Sequence, residues 1–375
     1  MSVALQEFVD RLVLDGSKVG WYPERIAAWE RGEKIAPVTI DCAMTRSCNA
    51  ACHFCYATLQ ANESEGKITK EAFFSFLEDA ASIGVKGVSF ISDGESTVVP
   101  WWADAVEHAA SVGLAVGAGS NGIKLTRPVL ERALPHLSYL RFNFSAGERK
   151  RYAEIMGVPQ ESFEIVKQNI RDGMEIIRRD NLLTTLNLQM VLDPVDADQI
   201  IPFANLVAEL KPVYGIIKHC ADNQAGDLGV DYSKYAALRD DLLLAEEIGR
   251  NAGVRLDVKW DKIKTEGKRR YTRCLGSPFI MQVSGSGLVA NCGFHFNERF
   301  KKFHMGNIVT QRFKDIWASD RYDEIMRYLA SDEFNPQERC GSLCLQDSAN
   351  KFLFEYQAGR ISLPTSPAPP HLEFV

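Results

Sequence analysis

Apolar and polar positions along this chain follow two periods that take turns. Leu5, Phe8, Val9 and Leu12 share one helical face, so residues 1–36 read as a helix and a connector. Residues 36–42 read as a strand. Thr69 is placed to cap a helix that carries Phe73, Phe76, Leu77 and Ala80 on one side. Further strands are predicted over 85–92, 114–119, 137–145, 183–192, 213–219 and 254–260. Helices are predicted between them over 101–112, 127–134, 163–179, 197–210 and 235–252. Repeated β-then-α order predicts a parallel sheet with helices outside.

Three of these strands alternate strictly. Leu140, Phe142 and Phe144 oppose Arg141, Asn143 and Ser145. Leucines and Met190 oppose Thr185, Asn187, Gln189 and Asp193, and Arg255, Asp257 and Lys259 alternate with apolar neighbours. Strands buried on both faces read as continuous apolar runs. The alternation therefore predicts one face on helices and the other lining a polar interior. From about residue 271 the pattern shortens. Residues 279–283 and 288–290 flank Ser284-Gly-Ser-Gly287, a hairpin signal, and Gly306-Asn-Ile308 precedes an amphipathic helix with Phe313, Ile316 and Trp317. The proline-rich stretch 363–370 is expected to be extended or disordered.

Composition narrows the class. The chain has 375 residues, 46% hydrophobic and 25% charged, which excludes disorder for most of its length. Lys+Arg is 43 against Asp+Glu 49, a net charge of −6, so no nucleic-acid partner is expected. No apolar run approaches the ~20 residues of a membrane span. Glu7 and Asp10 interrupt what would be a signal-peptide core. These features predict a cytoplasmic protein, in which stable disulfides are rare.

Nine cysteines then need another use. Three fall in Cys48-Asn-Ala-Ala-Cys52-His-Phe-Cys55, and Cys274, Cys292, Cys340 and Cys344 form a second set. Such clusters in a reducing compartment read as metal or redox sites. Structural zinc is one reading; it takes four ligands, usually in two short-spaced pairs. The first set offers three thiols, with His53 badly placed between two of them. Iron–sulfur clusters use thiolates on tight loops of related spacing, and three thiolates on a four-iron cluster leave one iron open. The second set would satisfy either zinc or a closed cluster.

The C-x-x-x-C-x-aromatic-C run, with Phe54 as the aromatic, resembles the signature of the radical S-adenosylmethionine (SAM) superfamily. The resemblance implies a partial (β/α)6 TIM-like barrel of class α/β over 37–262. Cys48, Cys52 and Cys55 would hold a [4Fe–4S] cluster whose open iron chelates S-adenosylmethionine. One electron then releases a 5′-deoxyadenosyl radical that abstracts hydrogen from substrate. Asp93-Gly94-Glu95-Ser96 lies where the family shows a Gly-Gly-Glu-Pro-like turn; Gly94 and Glu95 match, and the first and last positions do not. Asn121, in Ser120-Asn-Gly122, resembles the family's Thr-Asn-Gly turn. Ser145 and Gln189 fall where ribose contacts are expected, and Tyr56 where a backbone contact to adenine is expected. The C-x12-G-x4-C run from Cys274 to Cys292 resembles the SPASM/Twitch extension. Four cysteines imply the shorter, Twitch-like form: a small C-terminal iron–sulfur α+β module over 263–350 with one auxiliary [4Fe–4S] cluster. Residues 351–375 are read as a helix end and the proline-rich tail.

Two thiols remain. Cys42 reads as a buried apolar residue. Cys220, with His219 and Lys218, ends the sixth strand at the expected active face and is a candidate for catalysis. A thiol there would return a hydrogen atom, giving epimerisation; without a donor, the auxiliary cluster would take an electron, giving dehydrogenation. The expected substrate is a small polar metabolite, such as a sugar, an aminocyclitol or a nucleotide-linked compound. About 36 residues precede the first strand, too few for the leader-binding domain of the resembled peptide-modifying enzymes. The alternatives are a maturase of ribosomal peptides and a non-catalytic iron–sulfur electron carrier or zinc scaffold. A flavodoxin or ferredoxin is the expected electron donor.

Overall fold

The computed structural model describes residues 3–62, 66–264, 268–342, 344 and 346–375; the side chain of Leu5 lies outside the described set. Seven parallel strands run in chain order: β1 (Thr39–Cys42), β2 (Gly87–Phe90), β3 (Ala115–Ser120), β4 (Tyr139–Asn143), β5 (Thr185–Leu192), β6 (Tyr214–His219) and β7 (Arg255–Val258). Helices Lys70–Ile83, Trp102–Ser111, Arg127–Ala133, Glu161–Arg179, Ile200–Leu210 and Arg239–Asn251 connect them. This is the parallel sheet with outer helices expected from the alternation, and the partial barrel that the resemblance implied. The first crossover helix starts as its sequence dictates: Thr69 accepts the Ala72 N–H at 3.2 Å, and Gly84 closes the helix at φ +99°.

The C-terminal module joins the same sheet. Its strand β8 (Ile280–Val283) pairs parallel with β1, and β9 (Leu288–Ala290) and β10 (Gly306–Asn307) follow antiparallel. Sheet order is β10-β9-β8-β1-β2-β3-β4-β5-β6-β7. β7 and β8 stand at opposite ends of the parallel run, so the wall is open. Val9 and Leu12 of the N-terminal segment pack there on Tyr214 and Ile216, and Arg255 Nη1 donates to the Val9 carbonyl at 2.8 Å.

Strand alternation partitions the core as expected. Leu140, Phe142, Phe144, Leu186, Leu188 and Met190 join the main apolar core under the helices. The other face places Arg141 beside Asn187 and Asn143 beside Gln189 in register. Arg141 Nε and both amide atoms of Asn187 are buried without a hydrogen-bond partner, which marks the interior as a polar chamber.

Two local expectations need correction. The helix expected over 197–210 is a 3-10 turn, Pro194–Gln199, followed by Ile200–Leu210; Asp196 at φ −106° and ψ 21° breaks the run. Arg149–Met156 forms a helix that the pattern did not announce, because its outer positions are almost all charged. The proline-rich stretch 363–370 has no helix or strand, as the extended reading allowed, and the chain end after it is anchored. Residues 366–375 close the lower mouth of the barrel. Thr39 Oγ1 donates to the Glu373 carbonyl at 2.6 Å, Lys18 Nζ to the His371 carbonyl at 2.7 Å, and Tyr22 OH to the Leu372 carbonyl at 3.2 Å. Prolines suit this course: an extended segment without regular pairing still finds side-chain donors for its carbonyls.

Candidate active site

The loop after β1 carries Cys48, Cys52 and Cys55, and the chain around it dictates its shape. The unannounced helix Arg149–Met156 ends beneath it: the Ala51 and His53 N–H groups donate to the Met156 and Ile155 carbonyls at 3.1 and 3.3 Å. Gly157 caps that helix at φ +60°, and a Cβ there would strike the Ala51 carbonyl. His53 turns away from the thiols. Its Nε2 lies 2.7 Å from Asp196 Oδ2, and Arg151 Nη2 donates to Asp196 Oδ1 at 3.0 Å. Hydrogen bonding to Asp196 raises the His53 pKa. The pairing engages the His53 ring with Asp196.

Backbone N–H groups approach the sulfurs from the residues that follow each cysteine. Ala50 and Asn49 serve Cys48, and Ala57 and Thr58 serve Cys55. Such donors stabilise thiolates. Burial opposes them, pushing the Cys52 thiol up to about 12. A bound metal reverses that balance, because its charge favours the thiolate.

The β2 and β3 ends lock onto this loop. Gly94 (φ +79°) presses on the Thr45 carbonyl, where a Cβ would collide, and the Glu95 N–H donates to the Ser47 carbonyl at 2.9 Å. Glu95 is buried, and its carboxylate is a hub. Oε1 accepts from Thr97 Oγ1 at 2.6 Å and Ser120 Oγ at 2.9 Å, and Oε2 accepts from the Asn121 N–H at 2.7 Å. Asn121 Nδ2 in turn donates to Asn49 Oδ1 at 2.7 Å. Gly94, Glu95 and Asn121 therefore meet at the cysteine loop, as their motifs implied.

Farther round the barrel, the Ser145 oxygen accepts the Val191 N–H at 3.1 Å, and Gln189 Nε2 donates to Asn143 Oδ1 at 3.1 Å. Cys220 is buried, with Sγ 3.9 Å from the Phe54 carbonyl, and burial pushes its thiol up to about 12. His219 parts from it: its ring lies 6.0 Å from Tyr232 and 6.4 Å from Tyr235, among the side chains of the following loop. Alternation along β6 assigns Cys220 and Lys218 to the other face.

The second thiol set gathers in one buried pocket. Burial, with the charge of Cys344 beside it, pushes the Cys274 thiol up to about 11 and the Cys292 thiol up to about 12, and burial raises Cys340 as well. Backbone N–H groups of Ser277 and Phe294 serve Cys274 and Cys292. Among the described residues no three His, Cys, Asp or Glu side chains converge on a point where they could hold a single metal ion. Sets of three and of four thiols are the donor chemistry that iron–sulfur clusters take.

Two features escaped the sequence reading. Tyr56 was singled out for its backbone; its side chain packs with Cys292, Ala221 and Phe294, and the charges of both Cys55 and Cys292 act on its phenol, whose pKa burial raises. Asp93, a mismatch to the resembled turn, is buried. Its Oδ1 accepts the Gly285 N–H and its Oδ2 accepts from Ser284 Oγ, both at 2.7 Å, and Arg46 Nε lies 3.4 Å away.

Comparison with known proteins agrees with this geometry. Residues 43–207 match the model of the radical SAM superfamily, and residues 274–345 match SPASM, an iron–sulfur cluster-binding domain that spans all four C-terminal thiols. The AdoMet-dependent heme synthase of Methanosarcina barkeri is 23% identical over 330 residues, 82% of this chain and 88% of that protein. The PqqA peptide cyclase of Bradyrhizobium diazoefficiens is 26% identical over 231 residues, 54% of this chain and 60% of that protein. Among solved structures, Streptococcus suis SuiB bound to its precursor peptide SuiA superposes with a TM-score of 0.60 at 16% identity, covering 81% of this chain and 70% of that one. Native anSMEcpe with AdoMet and the Cp18Cys peptide gives 0.57 at 14% identity, covering 86% and 97%. Among the described residues no helix is long and apolar enough to cross a membrane.

Proposed function

This chain belongs to the radical SAM superfamily and carries a C-terminal SPASM iron–sulfur domain, and from that premise we propose that it oxidises a peptide substrate by hydrogen-atom abstraction. When bound, the open-iron cluster and S-adenosylmethionine supply the abstracting radical, and the auxiliary cluster supplies a one-electron acceptor. Cys48, Cys52 and Cys55 would hold the first cluster, and Cys274, Cys292, Cys340 and Cys344 the second. Gly94, Glu95, Asn121, Ser145, Gln189 and the Tyr56 backbone would hold the nucleoside cofactor. A soluble one-electron donor such as flavodoxin or ferredoxin would serve the first site.

One observation supports the oxidative reading: Tyr56, next to Cys55, packs on the Ala221 and Phe294 cluster that Cys292 of the second set also joins. The peptide class draws support from the peptide-directed relatives by name and from the chamber's amides. Asn187 offers an unpaired donor and acceptor, and Gln282 an unpaired oxygen, the complement of a peptide group. A small polar metabolite is the second reading. It is favoured by the charged pair Asp41 and Arg141 on the same wall, where burial lifts Asp41 to about 6.

The test is anaerobic reconstitution followed by turnover. About eight irons and as many labile sulfides per chain are expected for two four-iron clusters. Reduced enzyme with S-adenosylmethionine should release 5′-deoxyadenosine, and deuterated peptides, rather than deuterated sugars or nucleotides, should transfer deuterium into it. Zinc without labile sulfide overturns the enzyme reading, and label from the small metabolites alone selects the second reading. Cys220 is kept as a protonated thiol, the form that donates hydrogen. A Cys220→Ala variant that turns an epimerised product into an oxidised or stalled one would assign epimerisation instead of net oxidation.

A further inference from the structure

The pocket of the four C-terminal thiols contains a buried cation. Arg269, in Lys268-Arg269-Arg270, is only 9% exposed. Its Nη1 donates to the Cys340 carbonyl at 3.1 Å and its Nη2 to the Gly341 carbonyl. The guanidinium therefore backs the turn that carries Cys340 and leads to Cys344. Tyr271, two residues on, places its hydroxyl 3.4 Å from Cys344 Sγ and 2.9 Å from Asp347 Oδ1. Lys351 Nζ holds the other Asp347 oxygen at 2.8 Å.

An arginine cannot shed its proton in a protein. Its charge is fixed, and burial keeps water from screening it. Reduction adds negative charge to a thiolate-bound cluster, and a nearby fixed cation stabilises the reduced form more than the oxidised one. Cluster potentials respond to net charge, to hydrogen bonds at the sulfurs and to exposure. We propose that Arg269 is a positioning residue that sets the reduction potential of the auxiliary cluster upward, through its charge rather than through its hold on the Cys340 turn. The inference rests on the reading that the four cysteines hold a [4Fe–4S] cluster.

Full-length protein with Cys48, Cys52 and Cys55 changed to Ala isolates the auxiliary cluster. Its midpoint is read by redox titration followed by electron paramagnetic resonance, with iron and sulfide measured on each sample. Arg269→Gln should move the midpoint to more negative potential at unchanged iron content. Arg269→Lys keeps the charge and loses the forked hold, so its midpoint should stay near the parent's. An unshifted Arg269→Gln midpoint, or a Lys variant shifted as far as any Gln variant that loads, overturns the role of charge. Should Arg269→Gln fail to load, a Lys variant with a strongly lowered midpoint still overturns it. A parent protein without any auxiliary signal overturns the cluster reading and the inference together.

Discussion

Asp93 occupies the place where the resembled turn has its first glycine, and a carboxylate there would ordinarily be an unwelcome buried charge. Burial does raise its pKa, while Ser284, the Gly285 N–H and Arg46 pull it back down. Those partners come from the auxiliary hairpin and the radical SAM loop, so one side chain fastens the cofactor turn to both. Hydrogen bonds to a charged group contribute about 1.5–3 kcal/mol. Asp93→Ala should therefore destabilise the protein by about 2–3 kcal/mol and slow 5′-deoxyadenosine formation, with the iron content retained. Asp93→Asn keeps an acceptor for the Gly285 N–H and should lose less. Equal melting curves for the Ala variant and the parent would remove Asp93 from this role.

Between elements, the same logic joins the first crossover helix to the auxiliary module. Asp79, on the inner face of Lys70–Ile83, is buried, and Arg312 meets it with both arms of its fork, Nε at 2.9 Å and Nη2 at 2.6 Å. Arg312 sits just before the helix Phe313–Ala318, whose Phe313 packs edge-on against Phe76 at 5.1 Å. An exposed pair of this kind would contribute little. Here the acid is buried, and removing Arg312 leaves its carboxylate, among the described residues, only the Lys314 N–H at 3.4 Å. Arg312→Ala should lower the urea midpoint accordingly, and Asp79→Asn in the same chain should recover part of the loss, because a neutral amide is cheaper to bury. Additive losses in the double variant would contradict the pairing.

At the scale of the whole molecule, the chain closes its barrel with its own last residues. The Glu373 backbone lies over Gly87, where a Cβ would come within 2.9 Å of its carbonyl oxygen, and Phe374 packs edge-on against Tyr139 at 4.9 Å. His371 stands 3.0 Å from Thr185 Oγ1 at the start of β5. Removing residues 366–375 should lower the melting temperature by several degrees, since each net hydrogen bond contributes about 1 kcal/mol and the lower apolar ring loses its cover. Iron content should stay unchanged, because among the described residues the hydrogen bonds of the tail go to Arg11, Lys18, Trp21, Tyr22, Thr39 and Thr185 and not to either thiol set. Loss of iron from the truncated protein would show that the floor and the cofactor end are coupled.

The sequence by itself determined the elements and the two sets of thiols. Period-two and period-3.6 patterning placed the seven parallel strands and most helices, since each must bury one face wherever it packs. Cysteine spacing singled out the first thiol set, because thiols that share a loop are bound to be neighbours in space, and the resemblance that this spacing carries pointed to Gly94, Glu95, Asn121 and the second set. What only the tertiary structure decided are contacts between distant segments. Charged outer positions hid the helix Arg149–Met156 that supports the cysteine loop. The chain end after the proline-rich stretch is anchored by Lys18, Tyr22 and Thr39, which donate to its carbonyls. His219 and Cys220 are adjacent in the chain and part in space, because a strand sends successive side chains to opposite faces. Asp93 mismatched the resembled turn, and no pattern in the sequence singled out Arg269. Each owes its environment to residues far away in the chain, which is information that no local pattern holds.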